Sequence, residues 1–432
     1  MIICRTVRSP EAVAPLCALE ERPDLERRRR GVLATLWWTY GSFYFCRANI
    51  SPAVPSLLAE FKLTKADMGY VLGGTKLAYA LGQAINGQLA NRVHPRRMLA
   101  AGMALTIALN VLFGFSTGFS FMLVVWFLNG YAQSMGWTPT VRVMAHWFPL
   151  VGRGRAMGIL GTCYQVTSAA TLWGAGLVIV HTGGWRSAFW LPAALVAAVL
   201  VYMYRTLQAS PEEAFGGEAA RQGGAEVSLG EGLRAALRNP RIWLFGAVLG
   251  AVDIVRYGFL DWAPTLLKEV QGIAIDSAAL KAAVVPLGGA AGAVASGWVS
   301  DRFFGGRRAP VVCLMLVALA GLLSATGLAV ASGTVATVLL FALVGFLVYG
   351  PQVMVVGALP QDFSSRAVVA GATGFVNAMG YLGAWVGDVV TGKLAHRYGW
   401  GASLLFWNLT AVAAALLMAT LWRRRPAEEA HA

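Results

Sequence analysis

Two arginines lie inside long apolar segments of the sequence, and each begins the same phrase. The segment from Arg47 to Glu60 reads R-A-N-I-S-P-A-V-P-S-L-L-A-E, and the segment from Arg256 to Glu269 reads R-Y-G-F-L-D-W-A-P-T-L-L-K-E. A guanidinium at the centre of a bilayer costs about 2.5 to 3.5 kcal/mol on insertion scales, so a chain retains one there for a function. Its planar fork donates two parallel hydrogen bonds to an oxyanion. We predict that Arg47 and Arg256 share one anionic ligand.

A phosphate monoester fits such a pair, because it carries about −1.5 to −2 at neutral pH. Lys76 lies in another apolar segment, where Lys76, Tyr79 and Gln83 form one helical stripe. This stripe predicts that Lys76 faces the ligand as a third positive charge. The alternative is that Lys76 pairs with Asp253 or Asp388.

Two aspartates are candidates either for carrying a proton or for pairing with a buried cation. Asp253 precedes Arg256 by three residues, so both share a helix face. They form either an ion pair with which the anion competes or a site where Asp253 titrates and carries a proton. Asp388 shares a face with Asn377 and Tyr381, and a structural hydrogen bond is the use we expect of it.

Aromatic and hydroxylated side chains accompany these charges. Tyr40, Tyr44 and Arg47 form one stripe, which predicts either phenol contacts to the ligand or packing between helices. Tyr164 begins a hydroxylated face that either hydrogen-bonds a sugar or glycerol moiety or joins neighbouring helices.

The elements that position these residues are membrane spans. The chain has 432 residues, of which 57% are hydrophobic and only 13% are charged, a composition typical of an integral membrane protein. A span needs about 20 mostly apolar residues, and the sequence predicts an all-α protein with twelve of them. The predicted spans 1 to 12 are 31–59, 66–90, 97–117, 120–147, 155–181, 186–205, 241–267, 277–300, 309–331, 335–359, 367–394 and 401–422.

The residues responsible for the net charge of +14 lie mainly between the predicted spans. Basic residues concentrate in the N-terminal segment, in alternate loops and in the tail, which predicts that both termini and the central loop are cytoplasmic. The charge is therefore a topology signal, with anionic lipid as a secondary contact, and we expect no nucleic acid partner. The first 30 residues lack the apolar core of a signal peptide.

Several chemistries are disfavoured by the sequence. The five cysteines are scattered without metal-ligand spacing, and neither a nucleophile cluster nor a Walker phosphate-binding motif occurs. We therefore expect no metal, no cofactor and no enzymatic reaction.

The chain divides into two halves. We predict a cytoplasmic N-terminal segment (1–30), a six-helix bundle (31–205), a central loop (206–240) containing a short amphipathic helix at 229–237, a second six-helix bundle (241–422) and a cytoplasmic tail (423–432). Besides the arginine phrases, Gly130 recurs as Gly345, and Gly184-Trp185 recurs as Gly399-Trp400. Two parallel six-span repeats are a known transporter plan, in which the substrate site lies between the halves.

The loop phrase G-W-V-S-D-R-F-F-G-G-R-R, which begins at Gly297, resembles the signature of the major facilitator superfamily. A degenerate copy begins at Gly87 and has Asn91 at the position of the aspartate. The chain further resembles the organophosphate:phosphate antiporters in F-Y-F-C-R-A-N, in G-x-x-Q-S-M-G-W-T-P, in the Arg256 phrase and in F-L-V-Y-G-P. The resemblance covers residues from about 31 to 422.

This resemblance implies two bundles related by a pseudo-two-fold axis, a rocker-switch motion, and exchange of an organic phosphate for inorganic phosphate. It aligns Arg47 and Arg256 with the phosphate-binding pair. The aromatic positions that it assigns to the cavity are Tyr40, Tyr44, Tyr79, Trp137, Tyr349 and Tyr381. The loop residues that it implies form a cytoplasmic gate are Gly87, Arg92, Gly297, Asp301 and Arg302.

Departures from the family pattern concern the surroundings of the arginines. Tyr164 takes the place of a histidine in span 5, Gln83 that of a lysine in span 2, and Pro286 that of a carboxylate in span 8. Two alternatives stay open: a proton-coupled symporter of a sugar acid or other carboxylate, and a membrane-embedded sensor of a phosphate ester. We expect a monomer in the bacterial inner membrane.

Overall fold

The computed structural model describes residues 24–148, 150–215, 237–362 and 369–423, and every regular element within these ranges is helical. Twelve helical segments follow one another as predicted. Spans 1 to 6 are Leu25–Phe45 with Ile50–Phe61, Lys65–Arg92, Pro95–Phe113, Phe119–Gln133 with Trp137–Trp147, Leu150–Thr182, and Ser187–Thr206. Spans 7 to 12 are Pro240–Gln271, Ile275–Phe303, Arg308–Ser324 with Thr326–Ala331, Thr334–Val353 continued by a π turn and Leu359–Asp362, Val369–Arg397, and Trp400–Ala419.

The twelve-helix prediction is confirmed, and seven of these helices are long and apolar enough to cross a membrane unaided. The first helix begins at Leu25, earlier than the predicted start at 31, because the arginine-rich turn continues the helix. The predicted amphipathic helix at 229–237 lies outside the described residues, apart from its last position. The other segment boundaries stay predictions.

Local sequence signals explain where the helices begin and end. Thr64 and Asp67 form a capping box at the start of span 2. Span 7 begins with the Asn239 side chain accepting a hydrogen bond from Arg241 N, and Pro240 follows it. The same span ends at Gly272, which has a φ of 64° and so adopts the left-handed conformation that glycine tolerates best.

The repeat seen in the sequence is also a repeat of contacts. Gly130 on span 4 lies directly against the Thr75 backbone of span 2, and Gly345 on span 10 lies equally close to the Val285 backbone of span 8. Neither site has room for a side chain. Small residues allow this close approach of helix backbones in membranes.

Tryptophan indoles at the starts of spans 6 and 12 bond in the same way to the ends of spans 1 and 7. The Trp185 Nε1 donates to Glu60 Oε2 at 2.6 Å, and the Trp400 Nε1 donates to Glu269 Oε2 at 2.9 Å. These glutamates end the two arginine phrases. The halves therefore share a plan down to single hydrogen bonds.

At the end of the bundle that carries Lys65 and Glu269, here called the closed end, the halves are in contact. Lys65 Nζ lies 2.6 Å from Glu269 Oε2. A Cβ on Gly69 of span 2 would lie 2.7 Å from the Asp388 carbonyl oxygen of span 11. A Cβ on Gly176 of span 5 would similarly lie 2.6 Å from the Ala279 Cβ of span 8.

The opposite end, where the described chain begins and ends, is here called the termini end. A Cβ added to Gly87, Gly161 or Gly374 there would meet no atom within 4 Å among the described residues. These glycines belong to spans 2, 5 and 11, which are the spans that join the halves at the closed end. The halves therefore touch at the closed end, and these three glycines make no comparable contact with the described residues at the termini end.

Candidate functional site

Span 1 is broken at Arg47. The first helix ends at Phe45 and the next begins at Ile50. Pro52 explains the position of the break, because a proline ring clashes with the carbonyl four residues earlier and provides no N–H. Just past the end of the first helix, the Cys46 carbonyl accepts from side-chain amides: Asn129 donates at 3.0 Å and Gln133 at 2.8 Å.

Arg47 extends from this break and is only 7% exposed. Its Nε donates to Gln133 Oε1 at 2.5 Å. Its guanidinium carbon lies 4.5 Å from the ring centre of Tyr44 and 4.7 Å from that of Tyr79. Nη1 and Nη2 are buried and have no hydrogen-bond partner among the described protein groups. Two parallel donors, held between two rings, are thus available to a ligand.

Arg256 lies in an uninterrupted helix and has different neighbours. Its Nη1 is 3.3 Å from Asp253 Oδ1, the i, i+3 ion pair that the sequence predicts. Its guanidinium lies over the rings of Tyr257 and Tyr349, at 4.7 and 4.9 Å. Its buried Nε has no hydrogen-bond partner in the described part of the chain. Stacking on aromatic faces stabilises such a buried cation by roughly 2 kcal/mol when it is desolvated.

A row of neighbouring tyrosine rings connects the two arginines across the halves. Tyr79, which touches Arg47, lies 4.3 Å from Tyr381 of span 11, centroid to centroid. Tyr381 in turn lies 6.2 Å from Tyr257, which touches Arg256. Both guanidiniums therefore border one aromatic cluster at the interface of the halves.

The prediction that Lys76 faces the ligand is not supported by this structure. Its ammonium lies 2.9 Å from Asp388 Oδ2 and forms a second, shorter ion pair with Asp261. All three side chains are nearly inaccessible, and the pairing joins span 2 of the first half to spans 7 and 11 of the second. Two buried carboxylates provide a better environment for an ammonium than an apolar cavity wall does. The alternative pairing of Lys76 with Asp388 is the one found.

The remaining aromatic candidates are near Arg47. The Tyr40 and Trp137 rings lie 4.8 Å apart, and Tyr44 stacks on Tyr164 at 5.7 Å. Tyr164 thus lies one ring away from the Arg47 guanidinium. Contact of these rings with a ligand stays a prediction.

The residues of the predicted gate lie at the termini end. Asp301, Arg302 and Arg92 are exposed, and Asp301 has no ion pair within the described ranges. A Cβ added to Gly87 or Gly297 would meet no atom of the described residues within 4 Å, so the close helix approach expected there is not seen among them. A gate that alternates between states is open in one of them, so its role stays a prediction.

Sequence reasoning missed three residues of the site: Gln133, Tyr257 and Asp261. Each belongs to a phrase that carried the family resemblance, so the signal was present. Asp261 is an intramembrane carboxylate, which alone marks a functional position. Gln133 is uncharged and lacks this second signal, because its importance arises from the helix break in another span.

Within the described ranges no cluster of histidine, cysteine and carboxylate side chains has the composition of a metal site. The site offers cations, unpaired N–H donors and phenols instead. Such an arrangement has the chemistry suited to an anion, and it lies between two halves whose relative position an anion could change.

These features define a class, the twelve-helix transporters with a ligand site between two bundles. The chain belongs to the Major Facilitator Superfamily, whose sequence profile matches residues 36–387 and, in a second match, residues 272–432. Within it, the chain is a member of the organophosphate:phosphate antiporter family, as its sequence predicts. It is a transporter-family membrane protein and not an enzyme.

Two relatives match along almost their whole length. The glycerol-3-phosphate transporter of Bacillus subtilis (strain 168) is 29% identical over 420 residues, covering 92% of this chain and 93% of the relative. The membrane sensor protein UhpC of Escherichia coli (strain K12) is 30% identical over 425 residues, covering 94% and 95%.

The fold is also that of solved transporters. The crystal structure of the nucleoside transporter NupG superposes with a TM-score of 0.73 and covers 92% of this chain and 100% of that one, at 15% identity. This likeness concerns the fold alone.

Proposed function

We propose that this protein transports an organic phosphate, such as glycerol 3-phosphate or a sugar phosphate, across the membrane in exchange for inorganic phosphate. The carrying observation is the pair of intramembrane arginines that border one aromatic cluster, with unpaired donors on both. The family and the named activity of the Bacillus subtilis relative support the same ligand chemistry.

The mechanism follows from where the charges lie. A phosphate dianion between Arg47 and Arg256 neutralises both guanidiniums and satisfies their free N–H donors, which cost about 1 to 3 kcal/mol each when buried without a partner. Because one arginine belongs to each half, the bound anion draws the halves together at the termini end. The ligand thereby favours the closing of this end over the open state.

Closing the termini end requires opening of the closed end, where ion pairs cross between the halves. Lys65 with Glu269, and Lys76 with Asp261 and Asp388, hold that end shut. Anion binding compensates for separating them. Without an anion the separation of these ion pairs is not compensated, so the empty protein does not reorient. Each return step then needs a bound anion, which makes transport an exchange.

We further propose that the termini and the central loop are cytoplasmic, as the arginine distribution indicates. The described conformation then opens toward the cytoplasm. A monomer in the inner membrane suffices, because both arginines come from one chain.

The test is counterflow with purified protein in proteoliposomes. Vesicles loaded with inorganic phosphate should take up labelled glycerol 3-phosphate or glucose 6-phosphate, and uptake should vanish when the internal phosphate is omitted. Uptake that follows an imposed pH gradient and ignores internal phosphate would instead indicate the proton-coupled symporter.

A second candidate function is sensing, which the similarity to UhpC favours specifically. A sensor uses the same anion site and need not complete the transport cycle. The two functions separate in the vesicles described above: a protein that binds phosphate in a thermal-shift assay and transports neither phosphate nor phosphate esters is a sensor.

A further inference from the structure

We infer that Gln133 is a positioning residue for Arg47, holding the guanidinium so that both terminal nitrogens face the ligand. This inference rests on the proposed anion site. Gln133 is fully buried and uses both ends of its amide: Oε1 accepts from Arg47 Nε at 2.5 Å, and Nε2 donates to the Cys46 carbonyl at 2.8 Å.

These two bonds fix Arg47 at its base and along its side chain. The Cys46 carbonyl belongs to the peptide unit that precedes Arg47. The Gln133 amide therefore hydrogen-bonds both the backbone next to Arg47 and the Nε of its side chain. Nε is the one guanidinium nitrogen that does not belong to the terminal fork. Its engagement leaves Nη1 and Nη2 as an intact pair of donors.

The neutrality of the amide matters as much as its position. A carboxylate at this place would orient Arg47 equally well, but it would also neutralise the guanidinium and compete with the ligand. Gln133 provides orientation without charge. Arg256, by contrast, is oriented by the carboxylate of Asp253.

Gln133 is itself held by a chain of buried amides. Asn129 also caps the Cys46 carbonyl, at 3.0 Å, and Asn110 donates to Asn129 Oδ1 at 3.3 Å. Asn49, at the far side of the helix break, donates to Asn110 Oδ1 at 3.0 Å and to the Ala188 carbonyl at 2.9 Å. The break in span 1 is thus a shaped support for Arg47, built by spans 3 and 4.

Matched variants test this role. Gln133→Met preserves the length of the side chain and removes both hydrogen bonds, whereas Thr140→Val removes a buried hydrogen bond to the Gly136 carbonyl on the same span and leaves the amides around Arg47 intact. We expect Gln133→Met to weaken inorganic phosphate binding about tenfold or more in isothermal titration, and Thr140→Val to weaken it by no more than about threefold. Wild-type affinity in Gln133→Met, or equal losses in both variants, would overturn the inference.

A double-mutant cycle separates positioning from general stability. Lysine has no Nε donor, so adding Gln133→Met to Arg47→Lys should cost little further phosphate affinity. If Gln133→Met costs as much in that background as in the wild type, Gln133 does not act through Arg47 and the inference fails.

A readout without phosphate keeps this result independent of the proposed function. In ligand-free protein labelled with ¹⁵N-arginine, the Arg47 Nε–H resonance, identified by its loss in Arg47→Lys, should be protected from exchange in the wild type and exchange rapidly in Gln133→Met. An unchanged resonance in Gln133→Met overturns the inference. A protected resonance in a wild type that binds no phosphate leaves the positioning intact and rejects the phosphate site.

Discussion

The two arginine phrases begin alike and produce different structures. The fifth residue after the arginine is Pro52 in the first half and Asp261 in the second. Span 1 is broken just before Pro52, and its Cys46 carbonyl accepts hydrogen bonds from side-chain amides, whereas span 7 is continuous through Asp261, which binds Lys76 of the other half. The first half thus holds its arginine by a neutral amide, and the second half places carboxylates beside its arginine and at the interface.

This difference indicates that the two halves have different roles in the proposed mechanism. Arg47 is held in place by Gln133 and keeps two free N–H donors, Nη1 and Nη2. It is therefore suited to binding an anion without first breaking another interaction. Arg256 shares its charge with Asp253, and its span carries Asp261, which joins the halves. The second half is therefore suited to linking anion binding to movement.

The largest effect is expected from removing the lysine that the second half binds. Lys76→Met leaves two buried carboxylates without their cation, which should destabilise the protein by about 3 to 5 kcal/mol. The thermal unfolding midpoint in detergent measures this loss. Lys65→Met is the matched control, because its pair with Glu269 is partly exposed and is worth about 0 to 1 kcal/mol. Equal midpoints for both variants would contradict the role of the buried cluster.

Next come the two arginines, where the comparison predicts an unequal result. Arg47→Lys removes two free donors and should weaken phosphate binding about 100-fold, since each hydrogen bond to a charged group contributes about 1.5 to 3 kcal/mol. Arg256→Lys should weaken it less, because one of its nitrogens is already engaged by Asp253. Phosphate-dependent thermal stabilisation measures both, with Arg186→Lys at the closed end as the control. Full binding in both variants would refute the paired-arginine site.

A smaller effect of opposite sign is expected at Asp253. Asp253→Asn removes the anion that competes with phosphate for Arg256, so phosphate affinity should rise by a few-fold, or roughly 1 kcal/mol. Asp276→Asn, a partly exposed carboxylate on span 8, is the control. Weaker phosphate binding in Asp253→Asn would show that Asp253 supports the ligand instead of competing with it.

The smallest effects test what the halves still share. Trp185→Phe and Trp400→Phe each remove one indole hydrogen bond to a glutamate and should each lower stability by about 1 kcal/mol. We expect nearly equal shifts of the unfolding midpoint. A large difference between the two would show that the division of roles extends to this end of the bundle.

Much of this architecture was predictable because it depends on local composition. The twelve spans, the repeat and the two arginines follow from apolar length, from recurring phrases and from the energy of a buried guanidinium. Asp388 could be named as one of two possible partners of Lys76, but Asp261 could not, since it lies on another span and meets Lys76 only when the halves are docked. Gln133 was missed because its amide acquires its role from the break that Pro52 makes in span 1.

The pair of residues at the shared position, Pro52 and Asp261, also limits what evolution or engineering can do with the repeat. A chain assembled from two copies of the first half would have two broken helices and two lysines, with proline where Lys76 now finds Asp261. A chain assembled from two copies of the second half would keep the aspartates and lose the lysine. Each half has therefore become specialised to the other, and neither can be exchanged for a duplicate of its partner.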